Sequence, residues 1–215
     1  MSERTAPPLL HISASPRGAA SESLRIADEF VGAYRDVHPD AEIVTWDLWD
    51  GTLPEFGPAA AAAKMAVFGG TDPQGEQARA WRSALDTFAR FDAFDRVLFS
   101  VPMWNGGVPY ILKQFIDVIS QPGAVFGVDP QAGYRHLLAG RGKKAAVVYT
   151  SAVWGPGLGP EFGRDFQSTY FTDWLRWTGI EDVTEIHFHP TLTGDWDESR
   201  REASDAARDL GKRFW

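Results

Sequence analysis

Short apolar runs alternate with longer segments of helical period along almost the whole chain, and that alternation leaves few folds open. Pro7 to Ile12 reads as a short buried strand, bounded by proline and by the turn-rich stretch Ser13 to Gly18. A helix from about Ser21 to Val37 follows, because Leu24, Ile26, Ala27, Phe30, Val31 and Tyr34 fall at helical spacing. Ser21 suits its N-cap and Glu22 its first turn. Ala41 to Leu48 alternates like a strand near a sheet edge. The stretch Asp50 to Gly75, rich in Pro, Gly and Ala, reads as an insertion with a short helix over Pro58 to Val67. Glu76 to Arg90 carries Ala80, Trp81, Ala84, Leu85 and Phe88 on one stripe, a second amphipathic helix. Asp95 to Val101 is largely apolar, as a parallel strand covered on both faces is. Helical spacing returns from Tyr110 to Ile119 until Pro122-Gly123 stops it, and Ala124 to Gly142 suits a hairpin or excursion. The remainder reads as a strand over Lys144 to Thr150, a helix over Phe162 to Thr178, a strand over Val183 to His189 and a closing helix over Glu198 to Phe214.

Parallel strands need crossover connections, so five such strands alternating with helices predict one domain over residues 1–215. Its fold class is α/β, a doubly wound five-stranded parallel sheet with helices on both faces. Ligands in such sheets sit outside the carboxyl ends of the strands, where the strand order reverses. Composition narrows the chemistry done there. The 29 acidic against 21 basic residues give a net charge of −8, which disfavours nucleic acid as a partner. No apolar stretch reaches the roughly 18 to 20 residues of a membrane span. Met1 to Pro8 has neither the basic patch nor the apolar core of a signal peptide, so a cytoplasmic protein is expected. With no cysteine, redox chemistry falls to a bound cofactor. Nine Trp and 14 Phe suit a packed core with a dimer interface, an aromatic ligand pocket, or both.

The loop after the first strand, Ser13 to Ser23, is built of small and hydroxyl residues and opens into a helix N-terminus, which favours anions. Arg17 adds a full positive charge to this candidate phosphate cradle, although an ordinary capped loop has the same composition. It lacks both G-x-G-x-x-G and G-x-x-x-x-G-K-[ST], and Gly155 to Gly159 is a turn-rich loop, so one terminal phosphate is the better fit, which points to FMN. After the third strand come Pro102, Met103, Trp104, Asn105 and Gly106. Asn105 is the only asparagine of the chain, and its amide suits the alternating polar edge of a flavin, while Trp104 could stack on the ring. A turn role for Asn105 and a core role for Trp104 are the alternative. Glu185, His187 and His189 alternate on one strand face, but a spread of about 13 Å is too wide for one ion, so no metal is expected. His11, His38 and His136 do not converge with a serine and an acid in any recognisable order, and G-x-S-x-G is absent.

At this pair of loops the chain resembles the FMN-dependent NADH:quinone oxidoreductase and azoreductase family. The matching stretches are Ser15-Pro16-Arg17-Gly18 with Ser21 and Ser23, Pro102-Met103-Trp104-Asn105, and Pro109 with Leu112-Lys113-Gln114-Phe115-Ile116-Asp117. Gly123 with Phe126, and Thr150-Ser151, complete the match. The resemblance implies a flavodoxin-like fold, a homodimer, and FMN with NADH or NADPH as electron donor. Ser15, Ser21 and Ser23 would hold the phosphate with the Glu22 backbone between them and Arg17 beside them, Met103 to Gly106 would line the ring with Pro102 before them, and Ser151 would approach its far edge. A small aromatic acceptor, quinone or azo, would be reduced by hydride passing through the flavin in a ping-pong cycle. Phe126, Tyr134, Phe162, Phe171 and Trp174 are candidates for walling the open ring face from the partner subunit, or for plain packing. The chain departs from the family at Trp104, where Tyr is common, at Gly106, where Phe is common, and at Ala152-Val153-Trp154, where Arg-Gly-Gly is common. A flavodoxin-type electron carrier, or a flavin-binding protein without turnover, would share this fold. A carrier has no need for an aromatic excursion after the third helix or for a substrate-sized dimer pocket.

Overall fold

All five strands expected from the apolar runs join one parallel sheet in the computed structural model, which describes residues 7–215. Residues 1–6, part of the N-terminal stretch read above for targeting, lie outside the described residues. The sheet is formed by β1 (Leu9–Ser13), β2 (Ile43–Asp47), β3 (Arg96–Pro102), β6 (Lys144–Thr150) and β7 (Asp182–Phe188) in the order β2-β1-β3-β6-β7. The order reverses between β1 and β3, so the loops that leave their carboxyl ends diverge and open a crevice there. β2 is an edge strand, as its alternating pattern implied.

β1 is buried at all five positions because both faces are covered, which is why it reads as a continuous apolar run. Leu10, Ile12, Phe99 and Tyr149 face α3 (Gly75–Asp92), α4 (Tyr110–Ile119) and α5 (Ser168–Thr178). Leu9, Leu98, Val148 and Ile186 face α1 (Glu22–Val37) and α6 (Trp196–Arg213). These last two helices pack closely. A Cβ on Gly211 would lie 2.4 Å from the Phe30 carbonyl oxygen, so Gly211→Ala forces the helices apart. Its expected cost is about 2 to 3 kcal/mol, read as a lower urea midpoint at unchanged m-value.

Two sequence expectations are borne out and one needs correction. The short helix read within the insertion is α2 (Pro58–Phe68), one of six α-helices among the described residues. The excursion is an antiparallel hairpin of β4 (Phe126–Asp129) and β5 (Gly133–His136). The helix expected from Phe162 starts only at Ser168. Pro160–Phe162 is a separate 3-10 turn, ended by Gly163 at φ +96°, and the Asp165 carboxylate accepts the amides of Gln167 and Ser168 at the true helix start.

The aromatic wall expected from sequence is also redistributed. Phe171 is fully buried against Phe99, and Trp174 stacks on Phe171 while its Nε1–H donates to Ser120 Oγ at 3.0 Å, so both belong to the core of their own chain. Phe126 is buried against Trp177 and Tyr134. Tyr134 is exposed on the hairpin. Of the five candidates, Phe162 alone lines the cavities at the crevice.

Candidate functional site

The loop from Ala14 to Ser21 is pinned at its root, where the Ala14 amide donates to the Ser100 carbonyl at 3.0 Å and Trp49 Nε1–H donates to the Ala14 carbonyl at 3.1 Å. It passes through one 3-10 turn, Gly18–Ala20, made possible by Gly18 at φ +51°, and enters α1 at Ser21. Ser21 Oγ accepts the Leu24 amide as the N-cap and lies 3.1 Å from Ser23 Oγ. Ser15 and Ser21 line a cavity of about 120 Å³ with Arg17 and Glu22, while Ser23 stands behind Ser21 and off the cavity wall. Glu22 Oε1 pairs with Arg25 at 2.8 Å, and Glu22 Oε2 is buried without a hydrogen-bond partner. Arg17 is exposed and makes no ion pair among the described residues. The donors at this end are therefore two hydroxyls, the first amides of α1 and one free guanidinium, a set suited to a phosphate dianion.

Pro102 and Met103 carry the floor from this cavity into the second loop, where the Met103 amide donates to the Thr150 carbonyl at 2.7 Å. Trp104 and Gly107 then exchange both backbone hydrogen bonds at 2.9 Å, with Asn105 at φ +51° and Gly106 at φ +84°. Two successive positive φ angles define a type I′ turn, which explains both the lone asparagine and the glycine that follows it. Asn105 is thus a turn residue, and its position also lines the adjoining cavity. The Gly106 carbonyl accepts the Phe166 amide at 2.9 Å, and a Cβ on Gly106 would lie 3.5 Å from the Arg164 carbonyl. A strap, residues 162–166, thereby closes over the turn where a Phe at 106 would otherwise project. Trp104 leans on Trp49 and Tyr110, with ring centroids 5.7 and 6.1 Å away.

The adjoining cavity, about 200 Å³, shares Met103, Ser151 and Ala152 with the first, so the two form one cleft at the β1/β3 reversal. Its far wall is Trp154, Phe162, Gly163 and Arg164. Ser151 Oγ accepts the Trp154 amide at 3.1 Å and keeps its own proton free to donate. The loop is tied to the end of β7 by Thr191 N–H donating to Ser151 at 2.9 Å and Leu192 N–H donating to Ala152 at 3.0 Å. Every cofactor candidate named from sequence except Ser23 lies on this cleft. Trp154, Arg164 and Thr191 are added to the cleft wall, and Phe166 to the strap that closes over it.

Beyond the cleft, the spacing argument against Glu185, His187 and His189 converging is corrected. The long side chains lean along the strand, so Glu185 Oε2 lies 2.8 Å from His187 Nε2, and His187 Nδ1 lies 3.0 Å from His189 Nε2. Among the described residues no group of three or more His, Asp or Glu is placed to hold a metal ion.

On the other sheet face His11 Nε2 meets Ser100 Oγ at 2.6 Å, and burial lowers the His11 imidazole from 6.5 to about 4. Above pH 6.5 the ring is neutral whether folded or unfolded. As pH falls from there, the unfolded chain takes up a proton that the fold refuses, so stability drops until about pH 4 and then levels. His11→Gln keeps a hydrogen-bonding group and removes the titration. Comparing urea unfolding at pH 7 and pH 4.5, the variant should lose up to about 3 kcal/mol less than the wild type.

A family model described as flavodoxin-like fold matches residues 8–211. An FMN-dependent NADH:quinone oxidoreductase of Ruegeria pomeroyi is 48% identical over 189 residues, 87% of this chain and 91% of that protein. A protein of the same name from Desulfotalea psychrophila is 40% identical over 90% of this chain and 89% of its own length. The fold is also that of an azoreductase from Bacillus anthracis str. Sterne, which superposes with a TM-score of 0.86 at 23% identity, covering 97% of this chain and 100% of that one. By the family model and these identities the chain belongs to the flavodoxin-like family of FMN-dependent NADH:quinone oxidoreductases.

Proposed function

We propose that the chain, as one flavodoxin-like domain over residues 1–215, holds FMN along the cleft and moves two electrons from NADH or NADPH to a quinone, azo or related aromatic acceptor. The carrying observation is the cleft itself: an end lined by Ser15, Ser21 and Arg17 joined through Met103, Ser151 and Ala152 to an end walled by Trp154 and Phe162, a pairing that fits a flavin monophosphate. The names of the relatives support the same cofactor and donor.

Ser15, Ser21, Arg17 and the α1 amides would hold the phosphate, with Ser23 supporting Ser21. Met103, Trp104 and Gly106 would lie along the ring, and the Asn105 amide and Ser151 hydroxyl would meet its polar edge. Bound FMN would supply the redox chemistry, hydride uptake at N5 from the nicotinamide and its release to the acceptor. The protein's part is to bind, orient and exclude water. Donor and acceptor would enter the open side of the cleft in turn, which gives ping-pong kinetics. The overall balance is NAD(P)H plus one proton plus acceptor, giving NAD(P)⁺ and the two-electron-reduced acceptor.

A homodimer is part of this reading. Tyr134, Phe166 and Tyr170 are exposed aromatics that a second copy could cover, with Tyr134 available to its partner's cleft. Cytoplasmic residence is proposed on the composition, and no helix among the described residues is long and apolar enough to cross a membrane. Purified protein is expected to be yellow and to release a cofactor with the mass of FMN, and light scattering is expected to give about twice the 23.8 kDa chain mass. A colourless protein that takes up no FMN contradicts the proposal.

A further inference from the structure

The polar side chains along β7 contact neither the phosphate end nor the turn at Asn105, yet their inner end touches the cleft wall. Tyr149 Oη lies 2.9 Å from Thr172 Oγ1, Thr172 Oγ1 bonds Glu185 Oε1, and His187 and His189 continue the string from Glu185 Oε2. A carboxylate only accepts, and this fixes each proton. Thr172 donates to Glu185, so Tyr149 donates to Thr172. His187 donates from Nε2 to Glu185. In the neutral ring Nδ1 then only accepts, so His189 donates from Nε2 and leaves its Nδ1 bare. The bond from His187 is the main cause holding Glu185 below its usual carboxylate range. Burial first, then His187, lowers His189 to about 4. The other charged groups acting on the string are Asp165, ahead of α5, and Arg176, on α5.

The neutral His189 ring meets the Trp154 ring edge to face, with centroids 4.9 Å apart at 61°. His189 also precedes the Thr191 and Leu192 amides that tie down Ser151 and Ala152. The end of β7 thus braces the ring-side loop through one aromatic contact and two backbone bonds.

We propose, resting on the functional reading above, that His189 is a positioning residue: its tautomer, set by Glu185 through His187, holds Trp154 as the wall that decides which acceptors fit.

Histidine ¹⁵N NMR on the purified protein tests the tautomer, with or without FMN. Wild type should show His189 protonated at Nε2 only. The buried Tyr149 hydroxyl keeps donating to Thr172, so Thr172 still donates to the side-chain oxygen at 185; Glu185→Gln therefore turns its amide N–H to His187 Nε2, the string beyond it reverses and the His189 proton moves to Nδ1. Steady-state kinetics test the consequence. His189→Ala and Trp154→Ala should each raise acceptor KM about tenfold and to the same extent, and the double variant should be no worse than Trp154→Ala. His189→Gln, whose amide nitrogen can stand in for Nε2, should restore acceptor KM. An unchanged His189 tautomer in Glu185→Gln, multiplying effects in the double variant, or His189→Gln behaving as His189→Ala overturns the proposal. Failure of wild type to bind FMN would strike the functional reading instead and would leave the NMR result standing.

Discussion

Alanine at both Ser21 and Ser23 is expected to weaken FMN binding by about 2 to 4 kcal/mol, roughly 30-fold to 1000-fold, because a hydrogen bond to a charged oxygen is worth about 1.5 to 3 kcal/mol. The two serines should contribute unequally. Ser21 lines the cavity and Ser23 only supports it, so Ser23→Ala alone should cost less than about 1 kcal/mol. Ser21 also caps α1, and losing that cap costs about 1 kcal/mol of stability on replacement by alanine but only a few tenths by glycine. Ser21→Gly should therefore keep most of the fold's stability and still lose affinity. Fluorescence titration of FMN against the apoprotein, paired with urea unfolding, reads both quantities. An unchanged dissociation constant in the double variant would place the phosphate elsewhere.

The second large effect is expected at Asn105. Asn105→Ala should slow reduction of the bound flavin by NADH about a hundredfold, the scale that a displacement of about 1 Å from the donor can produce. Two causes would contribute: alanine at φ +51° strains the turn, and the side-chain amide is lost from the ring edge. Asn105→Gly separates them, since glycine accepts the turn and lacks the amide. A rate as slow in Asn105→Gly as in Asn105→Ala assigns the effect to the amide, and a restored rate assigns it to the turn. Stopped-flow absorbance of the flavin band under anaerobic conditions makes the comparison.

The sheet was legible because strands covered on both faces carry no polar alternation. Arg96 to Pro102 and Lys144 to Thr150 therefore stand out as apolar runs, and the need for crossovers turns such runs into a parallel order. The anion loop was legible through its hydroxyls and its place before a helix. The start of α5 was not, since Phe162 and the helix positions share an apolar period, and only Gly163 at positive φ and the Asp165 cap reveal the break. The strap depends on one backbone bond from Phe166 to Gly106, which leaves no side-chain pattern to read. Aromatic type alone does not separate a buried Phe171 from a cleft-lining Phe162, because both suit either place. The polar string escaped for the opposite reason: strand spacing measures backbone separation, whereas Glu185, His187 and His189 meet through side-chain reach.

The most direct test of the central claim is an anaerobic titration of the FMN-loaded protein with NADH and NADPH, followed by addition of a quinone or an azo dye. The cleft as described predicts that one equivalent of at least one nicotinamide bleaches the flavin in a single two-electron step, and that the acceptor restores the yellow colour in a second, separable step. A flavin that stays yellow with both nicotinamides and is reduced only through a separate reductase would contradict it, and would make the chain an electron carrier on the same fold.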